Sequence, residues 1–117
     1  MEPSHSSQGK TTIALDVLTT ITRLTALSIP GVYRLGVTSR DVNRLFKGVS
    51  NEGVHITVDN NVVYVDIYAI LNSDVNVRDV SRSIQNKVAR AISEMVGMEV
   101  GKVNIHIEDI HYDQVNS

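Results

Sequence analysis

The 117-residue chain contains no cysteine. That absence excludes a structural disulfide, a thiolate zinc site and a cysteine nucleophile. No apolar run approaches the ~20 residues that a membrane-spanning helix needs. No charged-then-apolar leader opens the chain, so a cytoplasmic protein is expected, with any membrane contact made through a partner or a surface patch. Basic charge is not in surplus either. Eleven Lys and Arg stand against thirteen Asp and Glu, a net charge of −2. A nucleic-acid binder usually advertises itself with the opposite balance. Catalytic signatures are missing as well. Nothing matches a GxSxG elbow or a helical HExxH pair. Gly9-Lys10-Thr11 resembles the end of a phosphate-binding loop, but the glycine required five positions earlier is Ser4. No enzyme, cofactor, metal site or small-molecule substrate is expected.

What remains is an ordinary globular composition, 42% hydrophobic and 21% charged. One α+β domain is expected over 10–112, with a polar tail at 1–9 and a second tail at 113–117. The most legible stretch runs from Val62 to Ile110. Val62 to Leu71 is a run of β-branched, aromatic and apolar residues between turn residues, and reads as a strand. Val77, Val80, Ile84, Val88, Ala91, Ile92 and Met95 recur at three- and four-residue steps, which predicts a helix over 77–96. Asn76 is suited to cap its start and Gly97 its end. Lys102 to Ile110 alternates again and reads as the closing strand.

Earlier elements are fainter. Lys10 to Ile13 is a candidate short strand. A helix is expected from about Ala14 to Ser28, with Ala14, Val17, Leu18, Ile21 and Leu24 on its apolar face, extended by Thr25 and Ser28. Six threonines between Thr11 and Thr25 weaken its intrinsic propensity, so packing must hold it. Pro30-Gly31 ends it, and Val32 to Val37 reads as a strand. Thr38 to Asn51 reads as a locally basic surface loop, carrying Arg40, Arg44 and Lys47 against Asp41. Gly53 to Asp59 alternates cleanly, and Asp59-Asn60-Asn61 is hairpin chemistry. The expected order is (β)αβββαβ: a single layer of three to five mostly antiparallel strands, with two helices packed on one face.

The two faces of that layer differ. Val63, Val65, Ile67, Ala69 and Leu71 share the side the helices need. Tyr64, Asp66 and Tyr68 share the other, joined by His55 on the preceding strand and His106 on the last. Tyrosine offers wide contact area with a polar tip and is enriched at interfaces. These five residues form the candidate interaction face. The expected partner is a second copy of the chain.

The ordered set of Gly9, Ile13-Ala14, Val17, Pro30-Gly31-Val32, Val65-Asp66-Ile67, Gln85 with Val88, Met95, Gly97 and Val103-Asn104-Ile105 resembles the alkaline shock protein family of bacterial envelope stress response proteins. The likeness covers Gly9 to Ile110. Two positions depart from the family's usual pattern: Asn72-Ser73 stands where Tyr-Gly is common, and Glu108-Asp109-Ile110 where Val-x-Gly is common. The resemblance implies a non-enzymatic cytoplasmic protein acting near the membrane, self-assembling, and in some relatives held there by a membrane-anchored protein. The competing reading is a KH-like RNA-binding module of the ribosome-maturation type. Arg78, Arg82, Lys87 and Arg90 on the second helix would supply its basic face. A KH domain needs a GxxG loop, however, and Gly97 and Gly101 are one residue too far apart.

Overall fold

A computed structural model describes residues 3–36, 49–51 and 53–112. The elements are α1 (Pro3–Leu27), β1 (Val32–Leu35), β2 (Val49–Asn51), β3 (Val54–Asp59), β4 (Val62–Asn72), α2 (Val77–Val96) and β5 (Glu99–His111). The α+β layer is as expected, with one expected strand absent and one added. Lys10 to Ile13 is not a strand but part of α1, whose helical backbone begins at Pro3 and so also takes in 3–9. The extra strand, β2, emerges from the end of the segment read as a loop. The basic stretch 40–47 lies outside the described residues.

β4 organises the sheet. One edge of it carries β5 in parallel along nearly its whole length. The other edge is shared: β3 pairs antiparallel with its first half and β1 with its second. The two meet at Tyr68, whose N–H donates to the Gly53 carbonyl and whose carbonyl accepts from the Gly36 N–H. β2 extends the sheet beyond β3. The β3–β4 turn places Asn60 and Asn61 at φ 54 and 65, the left-handed pair that a two-residue hairpin requires. Asparagine tolerates that region better than most side chains.

α2 forms over the predicted residues. The Asp79 N–H donates to the Asn76 side chain at 3.0 Å, and Gly97 turns left-handed at φ 74 to close the helix. Its buried stripe is Val80, Ile84, Val88 and Ile92. Each fully buried side chain of this kind contributes roughly 1.5–3 kcal/mol. The stripe packs on Val63, Val65, Ile67, Ala69 and Leu71, all fully buried, in one core with Leu18, Ala26 and Ile29. Both helices therefore cover the valine side of β4. The ends of the predicted stripe project past the core: Val77 is 41% and Met95 72% exposed.

α1 presents a different face from the one its large apolar residues suggest. Leu18, Thr19, Thr22, Ala26 and, just beyond the helix, Ile29 are buried, while Val17 and Leu24 are exposed. Threonine and alanine thus share the packed side with Leu18, and Leu15 and Ile21 lie along its border. Thr19 satisfies its hydroxyl by donating to the Leu15 carbonyl at 2.8 Å.

Candidate functional site

Alternation along β4 sends Tyr64, Asp66 and Tyr68 to the side away from the helices, and the pairing register decides their neighbours. On β5, Lys102, Asn104 and His106 lie opposite Tyr64, Asp66 and Tyr68. On β3, Thr57 and His55 lie opposite Tyr64 and Asp66. All five residues of the candidate face therefore do share one side of the sheet, across three strands.

Asp66 is the hub. Its Oδ1 accepts from His106 Nε2 at 2.9 Å and from Asn104 Nδ2 at 3.2 Å. The His106 ring also stacks on Tyr68, with centroids 4.5 Å apart and 13° between planes. One imidazole is thus held by its edge and by its face. Burial and the nearby carboxylates of Asp66 and Glu108 push the Tyr68 hydroxyl above its ordinary pKa, so it stays protonated and able to donate. Tyr64 lies over Gly101, where a Cβ would fall 2.6 Å from its ring. Glycine at that position lets the tyrosine settle across β5.

The five residues divide by depth. Tyr64 is 38% exposed and His106 is exposed. Asp66 is half-buried, whereas Tyr68 and His55 are buried. His55 Nε2 lies 3.3 Å from Thr57 Oγ1. The outward part of the face is therefore Tyr64, His106 and Asn104. Sequence reasoning places Asn104 on this side but does not single it out; its signal is the register opposite Asp66. It also misses the stacked pair Tyr33 and His111, 3.7 Å apart and 7° from parallel. That pair borders an open cleft of about 290 Å³ lined also by Arg34, Ile70 and Asp109. Among the described residues, no three His, Asp or Glu side chains converge as a metal site. On α2, Arg78, Arg82 and Lys87 are exposed and Arg90 is paired with Glu94 at 3.1 Å.

Comparison with known proteins adds to this geometry. A family model matches residues 3–112, that of the alkaline shock protein 23 family, described as having a cell envelope-related function. The chain belongs to this family. Among relatives of this chain, the uncharacterized protein YqhY of Bacillus subtilis is 24% identical over 115 residues, covering 97% of this chain and 85% of YqhY. The uncharacterized protein Spy1535 of Streptococcus pyogenes is 32% identical over 103 residues, covering 87% and 79%. A solved structure of a MamM CTD variant superposes with a TM-score of 0.51 at 10% identity, covering 82% of this chain and 98% of that one. That likeness concerns the fold alone. Among the described residues of this family member, no helix is long and apolar enough to cross a membrane.

Proposed function

We propose that the chain is a non-enzymatic cytoplasmic protein that acts by self-association and protein–protein contacts beside the membrane, held there through a partner. The observation that carries this reading is the uneven covering of the sheet. Both helices pack on the valine side, and the opposite side presents Tyr64, Asn104 and His106 around the Asp66 hub. An aromatic ring at the surface, beside a fixed pair of hydrogen-bonding side chains, offers contact area with little side-chain entropy left to lose on docking. Buried Tyr68 stacks against His106 on the same side and holds its ring. The family's cell envelope-related function agrees with a location near the membrane.

The test is native mass by size exclusion with light scattering at micromolar concentration. A mass above 12.9 kDa is expected. Tyr64→Asp should return it toward monomer with the melting midpoint little changed, because the side chain is already part-exposed. A monomer at every concentration would refute self-association.

A further inference from the structure

We infer that two copies of this chain join along the outer edges of β5, antiparallel about Ile105, so that their sheets become one. The inference rests on the self-association reading above and specifies its geometry.

β5 is thirteen residues long, and among the described residues only β4 pairs with it. Its outward groups follow from the ladder. Tyr68 turns its N–H and carbonyl toward Gly53 and Gly36, away from β5. Successive residues of a strand address opposite edges. Ile67 and Ala69 therefore face β5, where their parallel register engages the backbone of Asn104 and His106. Val103, Ile105 and Ile107 are left pointing outward. The neighbouring contacts agree: Gln85 donates from α2 to the Val103 carbonyl at 3.0 Å, and the Asp109 carboxylate accepts from the Ile110 N–H at 2.8 Å. Between those two capped points lie the outward groups of Ile105 and Ile107. The register slips at Gly101 and again at Glu108, so 102–107 is a regular stretch between two irregular ones. A bare edge of this kind is a template for another strand.

The occupant is read from the side chains. Taken backwards about Ile105, β5 pairs with itself: Ile105 meets Ile105, Val103 meets Ile107, Asn104 meets His106, and Lys102 meets Glu108. Val100 meets Ile110 and Glu99 meets His111 in the same register. Apolar residues face apolar ones, and Glu108, opposite Lys102 in this register, itself turns back across β4 to lie against Gly36. Directly opposed like charges, which would penalise the pairing, do not occur. The register is also the one in which Val103, Ile105 and Ile107 can exchange backbone hydrogen bonds with Ile107, Ile105 and Val103 of the second copy. Gln85 must release the Val103 carbonyl or share it. A two-fold of this kind is isologous and closes at two. It sets both Tyr64 faces on the same side of a continuous sheet.

The experiment has two readouts on the full chain. Ile105→Pro should raise the dimer dissociation constant roughly tenfold or more, because proline at the two-fold removes both outward N–H donors that the pair exchanges. In wild type, amide exchange at Ile105 and Ile107 should slow as concentration rises, while Asn104 and His106 stay unchanged. An oligomer indifferent to Ile105→Pro, with those amides unprotected, overturns the edge pairing and leaves self-association standing. A wild-type chain that is monomeric throughout overturns both.

Discussion

Thr19 and Thr22 sit on the same face of α1, nearly or wholly out of solvent at 4% and 0% exposure, yet their hydroxyls differ. Thr19 donates to the Leu15 carbonyl, whereas Thr22 Oγ1 has no hydrogen-bond partner among the described residues. Thr and Val have almost the same shape and similar helix propensity, so Thr→Val isolates the hydroxyl. At position 22 the substitution removes a buried polar group that gains nothing in the fold. Relief of roughly 1–2 kcal/mol is expected. For a domain of this size that is a rise in melting midpoint of about 4–8 °C. At position 19 the same change forfeits a hydrogen bond and should cost about 0.5–1.5 kcal/mol. The low end is expected, since the Leu15 carbonyl keeps its backbone bond within the helix. The assay is thermal and urea unfolding of both variants beside wild type, with the urea slope checked for constancy. Opposite signs are the expected result. A lower midpoint for Thr22→Val, or equal shifts for both, would refute the assignment of which side of α1 is packed.

Val88 is fully buried in the middle of the α2 stripe. Val88→Asp places an unpaired charge beneath the sheet and should cost more than about 4 kcal/mol, enough to leave little folded protein. Circular dichroism melting checks it, and an unchanged curve would mean the helix faces the other way. Tyr68 supplies a pH dependence. Its folded pKa lies above the 10.0 of a free tyrosine, through burial first and then the carboxylates of Asp66 and Glu108. Below that value both states hold the proton and nothing is lost. Above it the unfolded chain releases the proton first, so stability falls as the pH climbs toward the folded value. Tyr68→Phe should lessen this alkaline loss in denaturant midpoints compared at about pH 8 and about pH 11. An equal loss in the variant would place the tyrosine in water.

How legible was this fold? Where one strong periodicity has one interpretation, pattern and structure agree except at the ends of the stripe, where Val77 and Met95 are exposed. α2 is the clear case: Asn76, the 80–84–88–92 stripe and Gly97 each specify the same helix, and local and long-range preferences agree. α1 shows what pattern alone misses. Val17 and Leu24, two residues of the expected apolar face, point outward, and Thr19, Thr22 and Ala26 join Leu18 in the buried stripe. A hydropathy pattern weights Thr as polar. Close helix packing weights it as small and branched, much like Val. The strand expected at 10–13 failed for a related reason, because β-branched Thr11, Thr12 and Ile13 suit a strand only when a sheet edge is there to receive them. β2 is three residues long and too short to show any period.

The candidate site was legible in one dimension and not in the other. Alternation decides which side of a sheet a residue faces, and it placed Tyr64, Asp66, Tyr68, His55 and His106 together because the period of two leaves no other choice. It carries no information on depth. Depth depends on what crosses the face from neighbouring strands, and on that His55 and Tyr68 part from Tyr64 and His106. The distinction matters for recognition. A contact surface works through groups that lose water on docking, so Tyr64, Asn104 and His106 can contribute directly. Tyr68 and Asp66 act by holding His106 in place, one by stacking and the other by hydrogen bond. A substitution at Tyr68 therefore tests the rigidity of the surface, whereas one at Tyr64 tests the surface itself.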